Sequence, residues 1–424
     1  MNILILGATG FIGSVVAARL VADGHAVTGL GRNPARARLK QPAIDWRRAD
    51  LSRMTKPADW DDILKDQHAV INCAGALQDG LSDDLSATQA EAMLALYSAA
   101  KASSRPLIVQ ISARTAGAAG DLPFLTTKRR ADEALAASGL PYFILRPALV
   151  LGRNAHGGSA LLRALAAFPL VLPLVHAESL VETLSVDDVA EAVSRAVSGD
   201  ISGDVDLAAA ETLTLADLVR LHRQWLGLPP ARLFALAPWL ARPATWLADL
   251  SGLLGWRSPL RSTAMTVMSE GVQSSKVDGG LVATSAAATL SANPSGVQDL
   301  WFARLYLLKP LVISGLSVFW LLSGLLPLLA LDRTSAHFLP FMPHAAATAL
   351  TLATCLVDIV LGAAVLVRPL AKRALLGMLG VSLAYLAGAS LLEPALWLDP
   401  LGVLVKVLPS ILLTLVALAI LDER

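Results

Sequence analysis

Three evenly spaced glycines, Gly7, Gly10 and Gly13, follow the short apolar run Ile3–Leu6. In such a turn the first glycine permits a sharp strand-to-helix reversal, the second lets a phosphate approach, and the third lets the helix pack on the sheet. The free N–H groups at the start of the next helix, Ile12–Ala22, favour an anion. The spacing therefore predicts a dinucleotide bound through Gly7, Thr9, Gly10, Phe11, Ile12 and Gly13.

The end of the second apolar run selects between the two nicotinamide dinucleotides. Sites for NAD place an acidic residue there for the ribose hydroxyls, whereas NADP sites offer a basic residue to the 2′-phosphate. The segment Thr28–Pro34 contains Arg32 and no acid. A guanidinium can clasp a phosphate, so NADP(H) is expected rather than NAD(H). The alternative is that Arg32 is a solvated surface residue.

Residues 1 to about 150 alternate short apolar runs with amphipathic stretches, which is typical of a parallel sheet covered by helices. Strands are predicted at Ile3–Leu6, Ala26–Leu30, Ala69–Asn72, Leu107–Ser112 and Tyr142–Arg146. The shorter, mixed pattern of residues 150–230 indicates a small substrate-side lobe, with helices at Asp187–Ala196 and Leu213–Leu226. A Ser-, Ala- and Gly-rich stretch, Ser274–Gly296, is interpreted as a linker or loosely packed arm.

The composition is too apolar for an ordinary soluble protein of 424 residues. Hydrophobic residues make up 54% and charged residues 16%, and the mean hydropathy is +0.57. Each of four runs in the last third is long enough to cross a bilayer, which takes about 20 apolar residues. Four transmembrane helices are therefore predicted, with buried core helices of a soluble protein as the alternative: Leu311–Ala330, Ala346–Val367, Ala374–Leu392 and Leu401–Leu421.

Lys and Arg accumulate on the cytoplasmic side of membrane helices. Arg304 and Lys309 precede the first predicted span, and Arg368, Lys372 and Arg373 fill the second connection, whereas the third connection has no basic residue. The N-terminus also lacks a signal-peptide pattern. The chain is thus expected in the inner (plasma) membrane as a multi-pass protein, with the N-terminal domain and the C-terminus cytoplasmic and the lipid bilayer as a partner.

Other classes of function find no support in the sequence. The net charge is +1 without a basic run, so nucleic acid is not expected as a partner. The two cysteines, Cys73 and Cys355, do not suggest a disulfide framework. The histidines lack metal-ligand spacing, so no metal is expected.

Several motifs together resemble the extended and atypical short-chain dehydrogenase/reductase family. Besides the turn Gly7–Gly13 they are Asp50-Leu51, Asn72-Cys73-Ala74-Gly75, Ser112, Leu145-Arg146-Pro147 to Gly152, and Val186-Asp187-Asp188-Val189-Ala190. The resemblance implies an α/β fold, a Rossmann doubly wound parallel sheet with a small substrate lobe. It also implies that further residues bind the cofactor, namely Asp50, Leu51, Ala74, Gly75, Lys128 and Pro147, and that Ser112 and Lys128 are catalytic.

The catalytic signature of that family is incomplete in this chain. The family uses a Tyr-x-x-x-Lys pair, in which the lysine lowers the tyrosine pKa so that the phenol can exchange a proton. The matching segment places Phe124 where the tyrosine belongs and keeps Lys128. Phenylalanine cannot donate a proton, so Thr126, Thr127, Ser112 or a water molecule would have to supply it. The sequence therefore predicts nucleotide binding more firmly than standard catalysis.

The chain also resembles, over about residues 1–270, the dehydrogenase-like accessory subunit of respiratory complex I. In that group the nucleotide is largely structural, which implies a possible membrane-complex partner. Residues 301–424 resemble a DoxX-type membrane domain. The predicted domains are thus 1–230, a helical arm and linker over 231–300, and 301–424.

In the arm, Trp239, Trp246 and Trp256 suggest interfacial helices with tryptophans at the headgroup level. Helices packed on the lobe are the alternative.

Two charges fall inside the predicted spans, Asp358 and Lys406. An ionised group in hydrocarbon costs about 2.5 kcal/mol or more, and a pair facing the bundle interior is feasible. Such a pair would be a proton- or quinone-linked site. The alternative is a single structural contact between helices, with the Lys406 side chain extending to the membrane–water interface.

Two hypotheses of function remain open. The first is a membrane-anchored NADP(H)-dependent oxidoreductase acting on a small or lipid-soluble carbonyl or quinone-like compound. The second is a noncatalytic nucleotide-binding sensor or assembly factor of a membrane complex.

Overall fold

A computed structural model of the chain describes residues 1–75, 84–114, 118–272, 280–400 and 402–422. They form two compact units. The first unit comprises Met1–Asp249 and Ser258–Ala303, and the second comprises Leu250–Arg257 and the residues from Arg304 onward.

The described residues contain thirteen strands, all in the first unit. They are β1 Asn2–Leu6, β2 Ala26–Gly31, β3 Asp45–Arg48, β4 Ala69–Asn72, β5 Leu107–Ile111, β6 Tyr142–Pro147, β7 Leu149–Leu151, β8 Val171–Leu174, β9 Leu180–Val181, β10 Thr183–Ser185, β11 Gly203–Leu207, β12 Leu213–Thr214 and β13 Arg232–Ala235.

The helices of the first unit cover the sheet and build the lobe. They are α1 Phe11–Ala22, α2 Pro34–Lys40, α3 Asp61–Leu64, α4 Ala92–Ala102, α5 Pro123–Ala136, α6 Gly158–Ala166, α7 Val186–Ser198, α8 Leu215–Trp225, α9 Pro238–Leu253, α10 Ser262–Glu270 and α11 Ala286–Ala292. The last turn of α9 belongs to the second unit.

Seven parallel strands form the main sheet in the order β11-β6-β5-β4-β1-β2-β3. From β3 to β6 this is the strand order of a Rossmann fold. Buried residues of α1 and α7 pack on one face of the sheet, and those of α4 and α5 pack on the other. The predicted doubly wound α/β fold is therefore confirmed.

The five predicted strands are present within a residue or two of their expected bounds, but β3 and β11 were missed. Both are edge strands of the main sheet. In β3 only Trp46 is buried, and β11 carries Asp204 and Asp206 between its apolar residues. A strand with one solvated edge needs few apolar residues, so its sequence resembles a loop.

The predicted lobe is built around α6 and α8, whose buried residues form one apolar cluster with those of β8 and β9. The expected linker is wrong in part. Within Ser274–Gly296, residues 273–279 lie outside the described residues, but Ala286–Ala292 form α11. Ala286 and Leu290 are buried, so small residues there reflect close packing on α8 rather than a flexible connection.

The second unit is helical, with α12 Val297–Leu328, which begins in the first unit, α13 Leu331–Ser335, α14 His344–Ala364, α15 Arg368–Leu392 and α16 Val407–Ile420. Among the described residues, three of these helices, α12, α14 and α15, are long and apolar enough to cross a membrane. The fourth predicted span is not confirmed, since α16 has 14 residues.

Candidate functional site

The glycine turn lies between the end of β1 and the start of α1. Gly7 has a φ of +71°, which glycine adopts without steric cost. A side chain at Gly7 would approach the Ala74 backbone to 2.8 Å, and one at Gly13 would approach the Gly7 carbonyl oxygen to 2.3 Å. The turn therefore tolerates no side chain at these two positions.

The start of α1 offers donors to an anion. Gly10 is the N-cap residue and has no side chain to cap the helix. The N–H groups of the first turn, including those of Phe11 and Ile12, have no acceptor one turn earlier in the helix. A diphosphate fits a glycine cradle of this kind, because unpaired donors and the helix dipole both favour negative charge. The glycine turn therefore has room and donors for a phosphate, and its phosphate-binding residues remain a prediction.

Two basic residues lie close together at the carboxyl ends of β2 and β3. Gly31 pairs with Arg48 of β3, so Arg32 and Arg48 lie on neighbouring strand ends. The methyl group of Thr9 lies 3.9 Å from the Cβ position of Gly31, which places this edge beside the glycine turn. Sequence reasoning found Arg32 but missed Arg48, because β3 itself was missed.

The predicted adenine pair is Asp50-Leu51, directly beyond β3. Asp50 caps a 3₁₀ turn over Leu51–Arg53 by accepting hydrogen bonds from Ser52 N at 3.3 Å and Ser52 Oγ at 2.8 Å. These contacts fix the carboxylate at the sheet edge that carries Arg48. That Asp50 and Leu51 hold the adenine ring remains a prediction.

Asn72 organises the chain after β4. Its Oδ1 accepts a hydrogen bond from Ala74 N at 2.9 Å, and its Nδ2 donates to Gln110 Oε1 of β5 at 2.8 Å. Asn72 is 3% exposed, so these bonds are shielded from water. They hold Ala74 against the glycine turn.

Lys128 connects Gly75 with the end of β5. Its Nζ lies 3.6 Å from the Cβ position of Gly75 and donates to the Ile111 carbonyl oxygen at 3.0 Å. Burial lowers the pKa of the Lys128 ammonium group, while Asp132 opposes this shift. The structure thus brings Gly75, Lys128 and Ser112, the residue after Ile111, to one edge of the sheet.

Ser112 is buried and donates a hydrogen bond to Asp132 Oδ2 at 2.6 Å. Burial raises the pKa of the Asp132 carboxyl to about 6. Its Oδ1 has no hydrogen-bond partner among the described residues. Arg146 Nε lies 3.5 Å from Asp132 Oδ2. Sequence reasoning missed Asp132, although its spacing of four residues from Lys128 places both on one face of α5.

Phe124 lies on that face of α5 too, one turn before Lys128. Its ring is 8% exposed and belongs to an apolar cluster with Leu85 and Leu125, against which Leu122 and Val267 pack. The position of the missing tyrosine is therefore filled by an apolar surface. Thr127 does not supply a free hydroxyl, since its Oγ1 bonds to the carbonyl oxygens of Pro123 and Phe124.

Pro147 ends β6, whose neighbour in the sheet is β5. Ser112 N donates to the Leu145 carbonyl oxygen at 2.8 Å, which aligns these two strand ends. A Cβ atom at Gly152 would lie 3.4 Å from the Phe11 ring. The stretch from Pro147 to Gly152 thus returns to the start of α1.

The charge pair of Asp358 with Lys406 is not observed; Asp358 instead makes a structural contact between two helices, as in the alternative. Tyr385 of α15 donates a hydrogen bond to Asp358 Oδ1 of α14 at 3.1 Å, whereas Lys406 is exposed and directly precedes α16. The Tyr385 hydroxyl does not neutralise a charge on Asp358, but it provides a hydrogen-bond donor for the buried carboxyl group. The sequence could not identify this partner because a tyrosine in an apolar span carries no signal of its own.

Two segments of the chain match families of known proteins. Residues 7–198 match the family model of NAD(P)H-binding domains, and residues 317–415 match that of the DoxX-like family. The expected dinucleotide-binding domain and DoxX-like domain are therefore confirmed. None of the curated proteins compared matches the chain.

Solved structures share the fold of the first unit. The crystal structure of gox2253 is 22% identical and covers 72% of this chain and 98% of its own, with a TM-score of 0.53. UDP-glucuronic acid 4-epimerase from Bacillus cereus, in complex with NAD, is 18% identical over 72% of this chain and 100% of its own, with a TM-score of 0.49. UDP-glucose 4-epimerase from Thermus thermophilus is 19% identical over 62% and 98%, with a TM-score of 0.46.

Proposed function

We propose that this protein is a membrane-anchored oxidoreductase that uses NADP(H), with Ser112 in place of the missing tyrosine as proton donor. The observation that carries the proposal is the close approach of Gly75, Lys128 and the chain before Ser112, with Ala74 beside the glycine turn. Lys128 Nζ lies 3.6 Å from the Cβ position of Gly75 and 3.0 Å from the carbonyl oxygen that precedes Ser112. A bound dinucleotide would supply the hydride.

NADP(H) is proposed over NAD(H) on the charge at the ends of β2 and β3. Arg32 and Arg48 lie on adjacent strands there, and no acidic residue stands in Thr28–Pro34. Two guanidinium groups would attract a 2′-phosphate, and the end of β2 lacks the acidic residue that accepts hydrogen bonds from the ribose hydroxyls in NAD sites.

Asp132 would prepare Ser112 for proton transfer. When Asp132 is neutral, its carboxyl proton can be donated to Ser112 Oγ, and the Ser112 hydroxyl proton is then free for the substrate oxygen. Two bonds form and two break: the substrate oxygen gains the Ser112 proton, Ser112 gains the Asp132 proton, and Asp132 becomes a carboxylate. A surface pocket lined by Asp132, Arg146 and Asp204 would return a proton from water.

The proposed substrate is a small, lipid-soluble carbonyl or quinone-like compound. Its apolar character is inferred from the cluster of Leu85, Phe124 and Leu125, with Val267 of α10 packed against it. Such a surface desolvates an apolar substrate but offers no charge to fix a polar one. The membrane helices of the second unit would keep the protein near lipid-soluble compounds.

The second candidate function is a noncatalytic nucleotide-binding sensor or assembly factor. The burial of Phe124 supports it, because the position that normally donates the proton is part of an apolar cluster. The hydrogen bond from Lys128 to Ile111 O also suits a structural role. In this case the partner would be a membrane complex.

Purification of the full chain in detergent distinguishes the two candidates. The nucleotide that co-purifies is identified by mass spectrometry, and NADPH oxidation is measured with decylubiquinone, menadione and a panel of aliphatic and aromatic aldehydes. Turnover that disappears in Ser112→Ala, while NADPH still binds, supports the oxidoreductase. Bound NADPH without turnover on any of these compounds contradicts it and favours the sensor or assembly factor.

A further inference from the structure

Helix α9 has its large apolar residues on the exposed side and its small residues on the buried side, which is the opposite of a helix surrounded by water. Its small side chains face the protein: Ala248 is buried, and Ala241 and Thr245 are half-buried. Its two tryptophans face outward, with Trp239 63% exposed and Trp246 65% exposed. A helix that packs on a soluble domain buries its large apolar residues and exposes its small or polar ones.

The exposed side chains of α9 form one stripe. Trp239, Pro243, Trp246, Leu250 and Leu253 recur at the spacing of successive helical turns, and Leu240 and Leu247 flank them; all seven are exposed. Residues at this spacing lie above one another on one side of a helix. A contiguous apolar surface of this kind marks an interaction site.

The end of α9 lies beside the connection between α14 and α15, where Arg368 N donates to the Leu254 carbonyl oxygen at 2.9 Å. Leu250–Arg257 belong to the second unit. Within it, Trp256 Nε1 donates to the Leu366 carbonyl oxygen at 2.6 Å. Lys309 Nζ lies 5.8 Å and the Arg368 guanidinium 5.3 Å from the Trp256 ring centroid. Tryptophan beside Lys and Arg at the ends of apolar spans is typical of the membrane–water interface.

We propose that α9 lies in the plane of the bilayer interface, with its apolar stripe, including Trp239 and Trp246, buried at the boundary between the headgroups and the acyl chains. Since Leu253 is only three residues before Trp256, the last turn of α9 is held close to that level. Its two charged residues, Arg242 and Asp249, have opposite signs. The contact is therefore driven by apolar area, and anionic headgroups are not required. The proposal is independent of the redox activity.

Fluorescent labelling of the full chain in vesicles tests the proposal. Cys73 and Cys355 are first replaced by alanine, and single cysteines are introduced by Trp246→Cys, Leu250→Cys or Leu39→Cys. Leu39 of α2 is the matched control, since it is an apolar residue that is 86% exposed. Each variant is labelled with an environment-sensitive dye and reconstituted into phosphatidylcholine vesicles, with either brominated or unmodified acyl chains.

The proposal predicts that brominated lipid quenches the dye at residues 246 and 250 at least twofold and that aqueous iodide does not, whereas residue 39 shows the opposite. Quenching by iodide at both α9 positions would overturn the proposal in favour of a solvent-exposed helix. Protection of both positions from iodide and brominated lipid would also overturn it, because a protein surface would then cover the stripe. Two positions are used so that one misfolded variant does not prevent a decision.

Discussion

Ser112 Oγ and Asp132 Oδ2 lie 2.6 Å apart in a buried part of the first unit. The direction of their hydrogen bond depends on the charge of Asp132. An ionised Asp132 accepts the Ser112 proton and keeps it from a substrate, whereas a neutral Asp132 can donate to Ser112 Oγ and release that proton. The contact thus links the protonation of one carboxyl to the proposed proton donor.

The groups that act on Asp132 oppose one another. Burial raises its pKa to about 6, the Asp204 carboxylate acts in the same direction, and Ser112, Lys128 and Arg146 lower it. Burial raises the pKa of the Tyr97 hydroxyl, and the Asp132 carboxylate acts in the same direction. The net shift is upward, so Asp132 changes charge close to the pH range in which enzymes are assayed.

The first prediction concerns pH. We expect kcat for reduction to fall as pH rises through about 6, because the neutral form of Asp132 is then lost, by about tenfold per pH unit well above the pKa. Asp132→Asn should lower kcat and remove this dependence, since the amide does not titrate. Glu133→Gln, on the exposed neighbour, is the matched control. An unchanged pH profile in Asp132→Asn would exclude Asp132 as the titrating group.

The second prediction concerns cofactor choice. Arg32→Ala and Arg48→Ala should each weaken NADPH binding by about 10- to 100-fold, since a hydrogen bond to a charged group contributes about 1.5–3 kcal/mol. NADH binding should change little, because NADH lacks the 2′-phosphate. Arg38→Ala, on the exposed surface of α2, is the control. Dissociation constants from fluorescence titration measure the effect, and an equal loss for both nucleotides would refute a phosphate contact.

The third prediction concerns the glycine turn. A Cβ atom at residue 13 would lie 2.3 Å from the Gly7 carbonyl oxygen, so Gly13→Ala must displace the backbone that contacts the phosphates. We expect loss of the co-purified nucleotide and a lower melting temperature. Ser14→Ala, one residue further along α1, should retain the nucleotide. Mass spectrometry of the purified variants and thermal unfolding provide the measurements, and nucleotide retention by Gly13→Ala would contradict the assignment.

Local patterns made most of the first unit predictable. The glycine turn and the buried strands β1, β4 and β5 are short-range signals, because a central strand is apolar along its whole length. The apolar runs did not predict the edge strands β3 and β11, because only Trp46 is buried in β3 and two aspartates interrupt the apolar residues of β11. Arg48 was therefore not predicted as a cofactor-binding residue, since its position beside Arg32 depends on the pairing of β3 with β2 at Gly31.

Tertiary partners were less accessible from sequence. Asp132 was missed although it follows Lys128 by one helical turn, because the contact that gives it meaning joins two elements, α5 and the end of β5. Asp358 was identified as an unusual intramembrane charge, but pairing by opposite charge pointed to Lys406. The observed partner, Tyr385, is set by the packing of α14 on α15, which hydropathy does not encode.

The fourth prediction restores the missing phenol. Phe124→Tyr adds a hydroxyl one helical turn before Lys128, where the resemblance places the catalytic tyrosine. If the protein is an oxidoreductase, reduction should become faster and should depend less on Asp132, because a second proton donor is present. A noncatalytic protein would instead lose stability by about 1–3 kcal/mol from an unsatisfied buried hydroxyl and gain no turnover. NADPH oxidation and thermal unfolding of Phe124→Tyr, with and without Asp132→Asn, separate these outcomes.

The fifth prediction concerns the contact between α14 and α15. Because Tyr385 donates to Asp358 Oδ1, Asp358→Asn and Tyr385→Phe should be coupled in a double-mutant cycle. Hydrogen bonds between membrane helices contribute about 0.6 kcal/mol on average, and a coupling energy of that order is expected. Lys406→Met, on an exposed residue beside α16, should add to Asp358→Asn without coupling, since the two side chains share no contact. Unfolding of the full chain in mixed micelles gives the free energies. Coupling of Asp358 to Lys406, and none to Tyr385, would show that the charges pair across the bundle after all and that the hydroxyl contact does not stabilise the unit.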